Sequence, residues 1–337
     1  MTIFILTFIL SFLFVIFNNK ISKLVNIFDY PDKKRKLHKV VSSPVGGILI
    51  FLITILFIID LFFFKNFFVS NNISLTGREI LVFIFGSCLI FFIGLLDDKY
   101  NLDPNKKFLF FSLLYFSFML LDKNLIISEI FLNDFKKSIE LKEFSIFFSV
   151  LCCLLFLNAL NMFDGINYQV ATYSIIIFSI FLIKGIFITL SIAVIIGLIF
   201  FLYLNFKKNI FLGNSGTFLL AFLISYIFIR TYNSIGNIFA IEEIFAIMFL
   251  PGAELLRLFF LRIVNGNNPF KPDRNHIHHL LLKYTSPFNS FLINIFFIIT
   301  GISFYYFFTN KLLYLINLFL IYFIITYLLS KNGKNIE

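Results

Sequence analysis

The chain has no tryptophan, only three cysteines, seven prolines and four histidines, and charged residues fill just 14% of its 337 positions. Each scarcity excludes something. With so little charge, 60% hydrophobic residues and a mean hydropathy of +0.95, the chain cannot be a water-soluble fold, which has no way to bury that much apolar surface. Cys88, Cys152 and Cys153 all sit in apolar runs, two of them adjacent, so no secreted-type disulfide framework is available and they read as packing residues. Without tryptophan, anchoring at the membrane interfaces falls to the 14 tyrosines. The net charge of +10 comes with no basic soluble segment interleaved with aromatics. That excludes a nucleic-acid partner and points to anionic headgroups and phosphate.

What the chain has in abundance is apolar length. Runs at residues 2–17, 46–64, 80–96, 108–121, 144–160, 170–184, 186–204, 218–231, 244–261, 289–309 and 312–329 predict an all-α polytopic membrane protein with about eleven transmembrane helices. The count is ten if the sixth and seventh runs, separated only by Lys184-Gly185, form one span. No basic residue precedes the first run and no small-residue cleavage site follows it, so it is expected to be a retained helix. Basic residues concentrate in the segments after odd-numbered runs, from Lys20 to Lys39 and at Lys99, Lys106, Lys107, Lys207, Lys208, Arg262, Lys271, Arg274 and Lys283. This predicts the N-terminus outside and the C-terminus in the cytoplasm. No internal repeat is visible. No segment outside the runs is long enough to fold alone, and the external one at 122–143 is expected to be an amphipathic hairpin of mixed charge.

Four polar islands interrupt the apolar sequence: Asp97 to Asn101, Asn158 to Asn167, Gly213 to Gly216 and Pro272 to His279. The parity of the runs puts all four on the cytoplasmic side. Adjacent Asp97 and Asp98 at a helix end repel each other and oppose the helix dipole, so they call for a cation, either a divalent metal or the lysines at 99, 106 and 107. Asn158, Asn161 and Asp164 share one helical face, which either lines a wet cavity or builds an interhelical hydrogen-bond ladder. Gly213-Asn214-Ser215-Gly216 opens the eighth run, where backbone N–H groups bind anions, although such strings are also common turn chemistry. His276, His278 and His279 cannot all share one helical face, and their spacing fits neither a HExxH zinc site nor a finger, which leaves a metal trio open but not preferred. With Arg274 beside them they suit phosphate better than metal. Lys36 and His38, ahead of Pro44 and Gly46-Gly47, lie in a basic juxtamembrane segment of the kind that sets topology and touches anionic lipid.

In order and content these segments resemble the polyprenyl-phosphate N-acetylhexosamine-1-phosphate transferases and, more distantly, the phospho-muramoyl-pentapeptide transferase of peptidoglycan. The resemblance runs from Asp29 to about residue 282. It rests on Asp29, Pro31, Arg35, Lys36, His38, Pro44, Gly46 and Gly47, on the LLDD element, on N-x-x-N-x-x-D-G-I, on I-F-L-G-x-S-G, on Pro251, Glu254 and Arg257, and on P-F-x-P-D-R-x-H-x-H-H.

What this resemblance implies is a single integral-membrane catalytic domain over 1–337 in the bacterial inner membrane, multi-pass, with a cytoplasmic active site and compatible with a homodimer. The implied reaction moves an N-acetylhexosamine 1-phosphate, by default N-acetylglucosamine 1-phosphate, from a UDP-sugar to polyprenyl (undecaprenyl) phosphate. UMP is released and cell-surface polysaccharide synthesis begins. By the same resemblance Asp97, Asp98 and Asp164 are the catalytic carboxylates. Asp97, Asp98 and Asn214 hold Mg²⁺, with Mn²⁺ as a substitute, and Lys36, His38, Asn161, Asn167, Arg274, His276, His278 and His279 contact substrate. Two positions depart from the pattern: Asn214 and Asn167 stand where the family has Asp, the latter followed by Tyr168. An amide oxygen still coordinates a metal but brings no charge. An inactive scaffold homologue would explain both changes, and a membrane transporter would explain the many spans, though it calls for repeats and midplane charges.

Overall fold

Each of the eleven apolar runs forms helix in the computed structural model, which describes residues 2–28, 42–64, 68–70, 73–208, 210–234, 238–266 and 275–332. In chain order the helices are α1 (Thr2–Val25), α2 (Gly46–Phe64), α3 (Gly77–Tyr100), α4 (Pro104–Leu121), α5 (Ser145–Phe163), α6 (Gln169–Ile183), α7 (Ile188–Lys208), α8 (Gly213–Tyr232), α9 (Ile241–Ile247), α10 (Phe249–Val264), α11 (Ile277–Leu282), α12 (Pro287–Phe307) and α13 (Lys311–Asn332). The chain is thus an all-α polytopic membrane protein. Among the described residues eight helices are long and apolar enough to cross a membrane, or nine spans if α9 and α10 count as one. The expectation of about eleven includes α6, only 15 residues long, and α4, whose first turn carries Lys106 and Lys107; neither meets that measure.

The ninth run breaks where the sequence dictates it. α9 and α10 meet at a bend of 76°. Pro251 lacks the N–H that would bond the carbonyl of Ile247 one turn back. That carbonyl accepts the Tyr173 hydroxyl of α6 instead, at 3.0 Å, so the break leaves no stranded acceptor in the apolar interior.

The bundle is built around α8, which is buried from Ser215 to Tyr232 and packed by α2, α3 and α5. Small residues set how closely its neighbours approach. A Cβ on Gly94 of α3 would stand 2.5 Å from the Cα of Ser215, and one on Gly47 of α2 would stand 2.4 Å from the nitrogen of Gly216. α3 runs antiparallel to α8, so its far end brings Glu79 to Arg230 in a buried ion pair of 2.9 Å. Asn124 donates to the same carboxylate at 2.5 Å.

That far end also carries two small hairpins, β1 (Phe68–Ser70) with β2 (Ile73–Ser74), and β3 (Glu129–Leu132) with β4 (Lys137–Glu140). The second is the hairpin expected at 122–143. It is pinned to the bundle through Tyr232, whose hydroxyl accepts from Phe131 N and donates to the Glu129 carbonyl, and through Glu242, which accepts from Asn133. The start of α13 contacts this hairpin through Asp134, whereas its final turns reach Tyr284 beyond α11.

Candidate active site

The other end of the bundle gathers the polar islands. Consecutive helical residues point about 100° apart, so Asp97 and Asp98 in the last turn of α3 diverge. Asp97 closes its own turn. One oxygen accepts Leu102 N at 2.9 Å and the other pairs with Lys107 of α4 at 3.0 Å, beneath a left-handed Asn101. Asp98 reaches across to the start of α8, accepting Asn214 N at 2.7 Å, Ser215 N at 3.0 Å and the Ser215 hydroxyl at 2.8 Å. These are the otherwise unpaired donors and the positive dipole end of a helix, which a carboxylate stabilises. The anion cradle expected of the third island is therefore already filled, by a side chain of the first.

Two structural devices hold this contact. Gly213 has φ of +76°, where a side chain is strained, and a Cβ there would also stand 2.7 Å from Asp98. Behind it, Gly46 N and Gly47 N donate to the carbonyls of Phe211 and Leu212, at 3.0 and 2.8 Å, so the Gly-Gly pair fixes the chain entering α8.

The second island closes on the same point. Asn161 donates to the Asn214 amide oxygen at 2.7 Å and lies 3.3 Å from the Thr217 hydroxyl. Asp164 ends α5, and burial first, then the charge of Asp98, push its carboxyl up to about 7. Nothing cationic among the described residues offsets it. Asn158 stays out of the cluster, bonding the Leu154 carbonyl of its own helix. Asn167 lies half-buried in the turn to α6. Its neighbour Tyr168 adopts φ of +73°, and Asn205 of α7 accepts Tyr168 N at 3.0 Å while donating to Ile210 O at 2.7 Å. Asn205, missed as a site residue in the sequence, thus rivets the Asp164 turn to the loop before α8.

The fourth island supplies the opposite wall. His278 is 2% exposed, and its Nε2 lies against Gly165, where a Cβ would stand 2.0 Å away. The rings of His276 and His278 are stacked with centroids 5.1 Å apart, and His279 lies 4.4 Å from His278. Burial, then the neighbouring His279 and His276, hold His278 well below the usual imidazole range, so it is neutral at pH 7. The buried Nδ1 of His278 has no hydrogen-bond partner among the described residues. Upstream, Glu254 and Arg257 of α10 hold the segment. Lys36, His38 and Arg274 lie outside the described residues.

Among the described residues no three acidic, histidine or cysteine side chains form a ready cation site. The residues that fit a divalent ion are Asp98 and Asp164, which have no basic partner among the described residues, whereas Asp97 is already paired with Lys107. A hard ion bound by one or two carboxylates takes its remaining ligands from substrate phosphate and water.

Residues 80–232, from the start of α3 to the end of α8, match Glycosyl transferase family 4. The chain is 27% identical over 292 residues to a probable undecaprenyl-phosphate N-acetylglucosaminyl 1-phosphate transferase of Bacillus subtilis, covering 83% of this chain and 77% of that protein. It is 25% identical over 293 residues to the undecaprenyl-phosphate alpha-N-acetylglucosaminyl 1-phosphate transferase of Escherichia coli K12, covering 82% and 74%. The protein of that name from Yersinia pestis is 25% identical over 303 residues, covering 83% and 76%.

Proposed function

Since the chain is a relative of the undecaprenyl-phosphate N-acetylglucosaminyl 1-phosphate transferases, we propose that it transfers an N-acetylhexosamine 1-phosphate from a UDP-sugar to polyprenyl phosphate at the cytoplasmic face of a bacterial inner membrane. The observation that carries this reading is the meeting of Asp98, Asp164, Asn161 and Asn214 at the start of α8, with His278 opposite. An oxygen of the lipid phosphate attacks the sugar-proximal phosphorus. The bond from that phosphorus to the bridging oxygen breaks, and UMP leaves with the electron pair. Such a transfer depends mainly on positioning and on neutralising phosphate charge.

The chain's own groups divide that work. Asp98 ties its carboxylate to α8 and keeps it fixed, while Asp164, poised near neutrality, faces the same space. Both would hold Mg²⁺, which when bound offsets the charge of the diphosphate. Asn161 orients the Asn214 amide. Neutral His278 offers a ring nitrogen as donor or acceptor to the sugar-phosphate end rather than a charge.

The donor sugar is read as N-acetylglucosamine from the relatives' names alone. The test is UMP release from UDP-N-acetylglucosamine by purified protein, requiring both polyprenyl phosphate and Mg²⁺. No release with any UDP-N-acetylhexosamine sinks the enzyme reading and leaves the scaffold. A transporter reading finds less support, because this polar cluster sits at a bundle end rather than midway along it.

A further inference from the structure

The histidine segment has little to hold it in place by itself. α11 is only six residues long, and a helix of that length does not persist unaided. Yet His278 packs on Gly165 at a separation that admits no side chain there. Something must fix the backbone just ahead of it.

That something is a buried node on α10. Glu254, 2% exposed, accepts Ile277 N at 2.7 Å and two Arg257 nitrogens at 2.9 and 3.0 Å. Arg257 also donates to the Asn275 carbonyl at 2.5 Å. The peptide groups on both sides of His276 are therefore clamped by one ion pair. The Glu254 carboxylate in turn accepts the hydroxyl of Tyr322, a residue of the last helix lying outside the matched family segment. His276 Nδ1 faces the same carboxylate at 3.6 Å. The plain alternative is an ion pair that contributes only to the cohesion of α10 and α13, as buried pairs often do.

We propose that Glu254 is a positioning residue of the transferase site, and that Tyr322 makes α13 part of the assembly that aims His276 and His278. The proposal rests on the function proposed above, but its main test does not. Purified protein is treated with diethyl pyrocarbonate, and modification of His276 and His278 is followed by mass spectrometry. In the wild-type both rings are buried and should react slowly. In Tyr322→Phe and Glu254→Gln both should react several-fold faster. Glu243→Gln, which breaks an ion pair to Lys184 at the far end, should change nothing.

In the transfer assay, Tyr322→Phe should raise KM for UDP-N-acetylglucosamine on the order of tenfold with a smaller fall in kcat, as expected of a misaimed binding group. Unchanged histidine reactivity in both variants overturns the proposal, as does equal acceleration by Glu243→Gln. If the wild-type transfers no sugar at all, the functional reading fails while the modification rates still decide the positioning.

Discussion

Gly165→Ala isolates the contact between the second and fourth islands. The methyl would stand 2.0 Å from Nε2 of His278, well inside ordinary contact, so the ring must retreat by about 1 Å or more. The φ of Gly165 is not in the left-handed region, so the backbone tolerates alanine and the strain falls on the histidine. Overpacking of this kind costs about 1–3 kcal/mol. A shift of about 1 Å in a positioned group costs up to about a hundredfold in rate.

The expected outcome is a fall in kcat/KM of roughly ten- to a hundredfold, with stability in detergent lowered by no more than that overpacking cost of about 1–3 kcal/mol. A cycle with His278→Ala makes the reasoning testable. If the methyl acts only by displacing that ring, the double variant should be no worse than His278→Ala alone, a coupling of about 1.4–2.7 kcal/mol. Losses that multiply would refute the account, since the methyl would then be acting on something other than His278.

Other expectations follow from the geometry. Asp98→Asn should cut turnover at least about a hundredfold. Asp97→Asn should mainly lower stability, and its effect should not add to that of Lys107→Ala, because the two side chains form one pair; equal turnover losses at equal protein level would contradict this division. Asn214→Asp should lower the Mg²⁺ concentration for half-maximal activity, since site affinity rises with ligand charge; a flat Mg²⁺ dependence would remove residue 214 from the metal. The His278 pKa is depressed in the folded state, so its contribution to stability is fully present above about 6.5 and is lost as pH falls below that value. The melting temperature should therefore drop more steeply from pH 7 to 5 in the wild-type than in His278→Asn.

The islands were legible because polar residues stand out against an apolar chain, and one end of the bundle does collect Asp98, Asn161, Asp164, Asn214 and His278. The sequence could not tell Asp97 from Asp98, since the two differ only by a rotation about α3 whose outcome depends on α4 and α8. Nor could it show that Asp98 fills the start of α8, because that pairing joins residues 116 positions apart. Asn205 carried a faint signal as a lone amide near the end of an apolar helix. Tyr322 carried none, being one of three tyrosines in α13. The 76° bend was written in Pro251, but its tolerance by the fold depended on Tyr173.

The burial of α8 has a consequence for how the protein is made. It has the lowest hydropathy of the eight candidate spans and carries Arg230, whose partner Glu79 belongs to α3. As a solitary segment in lipid it would leave that guanidinium, in its last turn, unpaired and reaching for the interface. Its packing neighbours α2, α3 and α5 are all translated earlier. They can form a slot awaiting it before it leaves the ribosome. The carboxylate that secures its first turn, Asp98, belongs to the candidate site, so the step that seats α8 also brings Asp98 and Asn214 together.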